Sequence, residues 1–325
     1  MLLRFTICGS LLAISLMAQS ALAIVEKKAG KVGFYSMDGR RVGEAAVGSH
    51  PHEMAFSPDR RFLYVTDNGM LWMTDKGAGG NTISIIDVRQ RRKTGVIDLS
   101  DFRRPHGIAV MPDGQVVLTI ENPFGLLRLD PAARKIVRRY DSGGDSPHMV
   151  LLGPEAKTAW VSNSGSGTVA VVNLASGVVE NTIRVGGNPQ GGVISPDAKQ
   201  IYVTAMEDNT IAILDVAHRR ITGKIKTGNG PARVCLSRDG KTLVYILQNG
   251  EALGFADLAS SKETGQVPLP GQPLSVSLSE DGETAYMGIQ DRDKVAVVSI
   301  PQRKLLRVFD TPSGAGPDAI EPLER

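Results

Sequence analysis

Seven prolines recur along this chain at a nearly constant interval. They are Pro51, Pro105, Pro147, Pro189, Pro231, Pro273 and Pro317, with successive gaps of 54, 42, 42, 42, 42 and 44 residues. Each marks the approach to an apolar run. A fixed period of this length, carrying four short apolar stretches, is the mark of a propeller blade. The repeat after Pro189 reads most cleanly. There "GGVIS", "QIYVTA", "TIAILDV" and "RRITGKIKT" are the inner, second, third and outer strands, separated by turns of Asp, Asn, Gly and Pro. The stretches are too short for ordinary helices and lack a helical period. The long first gap comes from an insertion, "NGMLWMTDKGAGG", ahead of the third strand of blade one.

The two chain ends complete one another. From Pro317 only "PDAIEPLER" remains, of which "PDAIEPL" is enough for an inner strand. Near the other end "AIVEKKAGKVGFYSMDGRRVGEAAVG" has the register of a second, third and outer strand. The expected fold is therefore all-β: a seven-bladed β-propeller of four-stranded blades. Its last blade is closed by a C-terminal inner strand, Asp318 to Leu323, beside strands from Ile24 to Val47. Such a join removes two exposed sheet edges.

Residues 1–23 read as a secretory signal. Arg4 supplies the positive start, Leu11 to Met17 a short apolar core, and Ala21-Leu22-Ala23 an A-x-A cleavage site. The apolar core is too short to span a bilayer, and no other run is long enough. The expected protein is a single propeller domain over residues 24–325, periplasmic or secreted. Cys8 belongs to the signal, so Cys235 has no partner for an internal disulfide; its setting in "PARVCLS" is that of a buried strand residue. The formal charge of +3 falls to +2 when Arg4 leaves, which argues against nucleic acid as a partner.

"LYVTDNG", "AWVSNSGSGTVAVVNLASG" and "IYVTAMEDNTIAILDVAHR" resemble the YVTN repeats, a family named for that tetrapeptide. With the Ser-Pro-Asp turns, the resemblance covers nearly the whole chain after the signal. It implies a seven-bladed propeller, commonly exported in bacteria. It does not imply one activity, because propellers host many. Members and relatives include binding proteins, lactonases and the lyase that opens virginiamycin B.

The repeat breaks its own rule on one side. One residue after the proline stand His52, His106 and His148 in blades one to three, then Gln190, Ala232, Leu274 and Asp318. Sixteen residues after it stand Asp67, Glu121 and Asn163, then Ala205, Leu247 and Ile289. The inner strand runs away from the proline and the second strand returns, so the two positions should meet at the same end of the blade. Three imidazoles and three polar partners would converge at the upper channel mouth. Met70, Trp72, Met73, Met149 and Met206 fall near the same face, with the insertion as a lip. His50 and His218 lie apart from it.

A lone histidine after a proline is ordinarily a strand-start residue; three in adjacent blades are a candidate metal site. His52, His106 and His148 would be ligands, and Asp67, Glu121 and Asn163 further ligands or orienters, with Trp72 against a bound molecule. Neutral imidazole suits Zn²⁺, Cu²⁺ or Ni²⁺, and nearby thioethers favour reduced copper. Three functions fit this pattern. The first is a binding propeller for a transition metal, Zn or Cu, or a small polar ligand. The second is a lactonase- or lyase-type enzyme with histidine as general acid or base; no G-x-S-x-G or H-E-x-x-H stands in the chain. The third is a protein-interaction scaffold, accessory to a redox or transport system, that docks a periplasmic protein through its upper face.

Overall fold

The computed structural model describes residues 21–323. Twenty-eight strands form seven four-stranded antiparallel sheets, and no α-helix occurs among the described residues. Blade one comprises Pro51–Phe56, Phe62–Asp67, Thr82–Asp87 and Arg92–Asp98. Blades two to six follow in sequence order, with inner strands Arg103–Val110, Pro147–Leu152, Pro189–Ile194, Pro231–Leu236 and Ser277–Leu278. Blade seven takes its inner strand, Pro317–Pro322, from the C-terminal side and Leu22–Glu26, Lys31–Tyr35 and Arg41–Ala46 from the N-terminal side.

This closure is the one expected, with a boundary two residues earlier. Leu22 and Ala23 already belong to the second strand of the blade, both fully buried, with Leu22 opposite Pro322 and Ile24 opposite Ile320. A cut after Ala23 would remove them from the ring. Arg4, Cys8 and the apolar run Leu11 to Met17 lie outside the described residues. Among the described residues no helix is long and apolar enough to cross a membrane.

The core is radial rather than central. Each interface between neighbouring blades holds its own cluster of buried aliphatic and aromatic side chains, such as Ile83, Ile97, Leu118 and Ile120 between blades one and two. Another, with Leu22, Ile24, Tyr286 and Ile320, lies between blades six and seven. The Ser-Pro-Asp turns at the lower face repeat one pattern. In blade one Ser57 Oγ donates to Asp59 Oδ1 at 2.6 Å and accepts from Phe62 N at 2.9 Å. Ser195 and Asp197 do the same in blade four. These turns send the second strand back towards the upper face, where the site lies.

Candidate functional site

All seven residues that follow the repeat proline meet at the upper channel mouth. His52, His106, His148, Gln190, Ala232, Leu274 and Asp318 line one cavity of about 310 Å³. Leu71, Trp72, Met73 and Thr74 of the blade-one insertion line it from above. Its floor is an ion pair across the channel, between Arg233 of blade five and Glu53 of blade one. Beneath that pair lies a smaller cavity of about 160 Å³ with Met149 and Glu321. Met149 therefore sits below the floor and not at the mouth, whereas Met73 and Met206 do line the upper cavity. His50 and His218 stand apart, as expected.

Two backbone features bring the histidines together. A β-bulge follows the proline in each of these blades: the register shifts between Pro51 and Met54, Pro105 and Ile108, and Pro147 and Met149. Bulges re-aim a side chain, and here each bulge carries the histidine. Close approach of the inner strands is the second feature. A Cβ on Gly107 would lie 2.5 Å from the carbonyl oxygen of His148, so glycine alone fits there. Thr119 Oγ1 then donates to that carbonyl at 2.8 Å. Thr204 of "YVTA" holds the corresponding carbonyl of Ala232 at 2.6 Å. The threonine of the repeat thus positions the next blade's first residue.

The three imidazoles pack in a row, His52 and His106 edge to face and His106 and His148 tilted. Ring centres are 4.5 Å apart for His52 and His106 and 4.1 Å for His106 and His148. Each ring is anchored on its outer side by an acceptor. His52 Nε2 lies 2.8 Å from the Met70 carbonyl and His148 Nδ1 lies 2.6 Å from the Gln190 carbonyl. A carbonyl only accepts, so these two nitrogens carry the protons and leave lone pairs on His52 Nδ1 and His148 Nε2. The Arg233 Nη1 contact to His148 Nδ1, at 3.4 Å, is the weaker one, since Arg233 donates to the same Gln190 carbonyl at 3.0 Å. His106 Nδ1 lies 2.8 Å from Glu121 Oε1, and its Nε2 faces His52 Nδ1 at 3.3 Å.

Burial holds all three imidazoles neutral, well below their ordinary pKa of 6.5. Positive neighbours act in the same direction: Lys27 on His52, Arg233 and Lys27 on His106, and Arg233 and Lys27 on His148. Burial also pushes the Glu121 carboxyl up to about 7, against the pull of Arg104. Two proton arrangements are then open to His106. With Glu121 protonated, Glu121 donates to His106 Nδ1 and His106 Nε2–H donates to His52 Nδ1. With Glu121 ionised, His106 Nδ1–H donates outward, and two lone pairs face each other across 3.3 Å. The second arrangement suits a shared cation, because two ligands about 2.0–2.1 Å from a tetrahedral ion are about 3.3 Å apart. Among the described residues, no three His, Cys, Asp or Glu side chains stand arranged to hold an ion together.

The expected partners divide. Glu121 orients His106, but Asp67 and Asn163 do not reach the site. Asp67 accepts from Gly48 N at 2.8 Å, Thr82 Oγ1 at 2.7 Å and Ser84 Oγ at 2.8 Å, within its own blade edge. Asn163 Nδ2 donates to the Ser142 carbonyl at 3.0 Å. Register explains the split. Pro51 pairs with Asp67 and Pro147 with Asn163, but Pro105 pairs with Ile120. Glu121 is thus one step further along its strand and points to the other face. Its counterparts are Asn68, Ser164, Met206 and Gln248, which count from the proline had passed over. Met206 and Gln248 line the cavity, while Asn68 and Ser164 donate to the proline carbonyls of the next blade at 3.2 and 2.7 Å. Trp72 lines the cavity as expected, 41% exposed, with Lys27 Nζ 5.6 Å from its ring centre. Cys235 is no part of this site: its Sγ donates to the Val276 carbonyl, and burial pushes its thiol up to about 12.

Known proteins match this architecture. A model of the choice-of-anchor I domain matches residues 5–188. No curated protein matches the chain. Among solved structures, a functionally unknown protein from Desulfotomaculum acetoxidans is 16% identical with a TM-score of 0.76, over 94% of this chain and 99% of that one. The periplasmic gluconolactonase PpgL of Pseudomonas aeruginosa is also 16% identical, TM-score 0.76, over 93% and 98%. Hydrazine synthase of Kuenenia stuttgartiensis is 20% identical, TM-score 0.70, over 91% and 99%. These likenesses speak for the fold alone. The model of the YNCE-like beta-propeller matches residues 124–324, and the chain belongs to that family.

Proposed function

We propose that this protein is an exported propeller that binds a transition metal ion, Zn²⁺ or Cu²⁺, through His52, His106 and His148 at the upper channel mouth. The observation that carries this reading is the outward anchoring of all three rings. Each has one nitrogen on an acceptor outside the cluster (Met70 O, Glu121 Oε1, Gln190 O). Metal-bound histidines characteristically donate their other N–H in this way. His52 and His106 have the spacing of two ligands with their outward bonds kept; His148 would join as the third by giving up its bond to the Gln190 carbonyl. Three neutral nitrogen ligands with an open position would suit Zn²⁺, which would there polarise a water or carbonyl.

Calorimetric titration of tag-free apoprotein with Zn²⁺ and Cu²⁺ tests this. Dissociation constants of about micromolar or tighter are expected, with at least a tenfold loss in each single His→Ala variant. Binding should weaken as the pH falls through about 7, because protonated Glu121 donates to His106 Nδ1 and leaves the His106 proton on Nε2, where the ion would sit. Equal affinity in wild type and the triple alanine variant, or none tighter than about millimolar, overturns the reading.

A second reading, hydrolysis or ring opening at the ion, is favoured by the cavity of about 310 Å³ beside the histidines. The gluconolactonase shares the fold. Lactone turnover by Zn²⁺-loaded protein that vanishes in H106A would move this reading to first place.

A further inference from the structure

The groove between blades one and two at the lower face lies far from the histidines in the fold. It encloses about 390 Å³ and gathers three arginines from separate segments: Arg61 before the second strand of blade one, Arg92 at the start of its outer strand, and Arg134 in a turn of blade two. One carboxylate, Asp87, lines it too. Asp87 is occupied: Arg61 Nε lies 3.5 Å from its Oδ2, and Gln90 N donates to its Oδ1 at 2.8 Å. Among the described residues Arg92 and Arg134 have no carboxylate partner. Arg92 Nε donates to Gln90 Oε1 at 2.6 Å and Arg134 Nη2 to the Thr94 carbonyl at 3.3 Å. Most donors of both guanidiniums stay unused. The repeat builds the same groove between blades five and six, but there Arg238 and Arg303 face Asp239, Asp281 and Glu283. Arg303 Nη1 donates to the Thr264 carbonyl at 2.8 Å, as Arg134 does to Thr94. The groove is thus a product of the fold, while its excess of cations is particular to blades one and two.

Tyr64 points to a ligand independently. It lines the floor with Phe62 and Ile85 and is 7% exposed. The other five tyrosines each place the hydroxyl on a partner: Glu26, the Leu174 carbonyl, Gln200, Glu263 and the Met37 sulfur. The Tyr64 hydroxyl has no partner among the described residues. Burial raises its pKa, and Asp59 and Asp130 act the same way, so it remains a donor. Those two carboxylates do not line the groove and are tied into their own turns, Asp59 by Ser57 Oγ and Asp130 by Ala133 N. The exposed Lys93 and Lys135, next to Arg92 and Arg134 in the chain, offset them. We propose that this groove binds a phosphate monoester on a small apolar or aromatic body, with its phosphoryl oxygens on Arg92, Arg134 and the Tyr64 hydroxyl. The site is independent of the metal reading. Two cations without a carboxylate match a monoester, which carries about −1.5 to −2 at neutral pH. Guanidinium forks fit phosphoryl oxygens two at a time. The floor of Phe62 and Ile85 would stay uncovered under a bare phosphate and fits a carbon body. The volume lies within the range of small-molecule sites.

The test is calorimetric titration of the full chain at low ionic strength with phenyl phosphate, inorganic phosphate and phenol. Phenyl phosphate should bind with a dissociation constant of about 100 μM or tighter, at least tenfold tighter than inorganic phosphate or phenol. Added salt should weaken it. R92Q/R134Q should lose at least tenfold and Y64F, which keeps the ring, at least threefold. R303Q, in the groove between blades five and six, should stay within twofold. Should R134Q disturb its turn, R92Q alone should still lose about fivefold with an unchanged melting temperature. Flotation with phosphatidylcholine vesicles, with and without phosphatidic acid, separates two sources of the phosphoryl group. Binding to phosphatidic acid that phenyl phosphate displaces assigns it to a lipid headgroup; phenyl phosphate binding without flotation assigns it to a soluble ester. Phenyl phosphate affinity no tighter than about millimolar overturns the proposal. So does equal affinity for inorganic phosphate or phenol, or unchanged affinity in either R92Q/R134Q or Y64F.

Discussion

One residue of register separates a site carboxylate from a structural one. Asp67 and Glu121 hold the same place counted from the repeat proline, yet Asp67 is opposite Pro51 while Ile120 is opposite Pro105. The Asp67 side chain therefore turns into the blade, where it satisfies one backbone N–H and two hydroxyls. Asp67→Ala leaves one buried and two half-buried donors without an acceptor and should cost about 1–3 kcal/mol of stability. It should leave metal affinity within a factor of three, the reverse of His106→Ala. Chemical denaturation beside metal titration checks both arms. A large loss of metal affinity in D67A would return Asp67 to the site. The histidines were legible because their asymmetry stands against a regular background. The partners were not, because one residue fewer between Pro105 and its strand partner changes the facing without changing the period. The real orienters of His52 and His148 are backbone carbonyls, Met70 and Gln190, which no side-chain pattern announces.

At the scale of elements, the insertion in blade one is a lid held mainly by the Arg104 guanidinium, with a longer bond from Arg103 Nη1 to the Gly79 carbonyl at 3.5 Å. Arg104 Nη2 donates to the carbonyls of Asp75 at 2.7 Å and Gly77 at 2.9 Å, and Nη1 lies 3.7 Å from Glu121 Oε2. A second tie runs from His52 to the Met70 carbonyl. The lid thus touches two of the three histidines, one directly and one through Glu121. That the insertion lies over the channel followed from its position between second and third strands. That Arg104 holds it did not, since Arg104 belongs to the next blade and its partners are main-chain oxygens. Arg104→Met should free the lid while the blades keep their packing. Lys76, exposed within the lid, reports the change. Trypsin cleavage after Lys76 should quicken at least tenfold in R104M, with a melting temperature within a few degrees of wild type. Bound Zn²⁺ should slow cleavage in wild type more than in R104M. Unchanged cleavage would mean that the His52 tie alone fixes the lid.

For the whole molecule, stability depends on closing a ring whose cores lie between blades. Seven interface clusters each need both of their blades. The closure was legible because each chain end alone supplies an incomplete blade. Pro317–Pro322 supplies the inner strand of blade seven, with Ile320 1% exposed in the cluster shared with blade six and Ala319 in the cluster shared with blade one. The same strand carries Asp318, the partner of Lys27 at the cavity wall. A chain ending at Gly316 loses the ladder from Leu22–Pro322 to Glu26–Pro317 and uncovers the edge of Leu22–Glu26. Two buried aliphatic contacts, the ladder and the ion pair together should cost on the order of 5 kcal/mol or more, which rivals the total stability of a domain. The shortened chain should therefore melt at least 10 °C lower, and it should lose the protection of amides in Lys31–Tyr35 along with those of Leu22–Glu26. A synthetic peptide of residues 317–325, added in excess, should restore most of the loss by pairing with the open edge, as strand addition does elsewhere. The rescue matters because it separates a missing strand from general damage to the fold. A shortened chain that melts within about 3 °C of the full one would show that the seven interfaces hold without closure, and that the ring is held mainly from blade to blade.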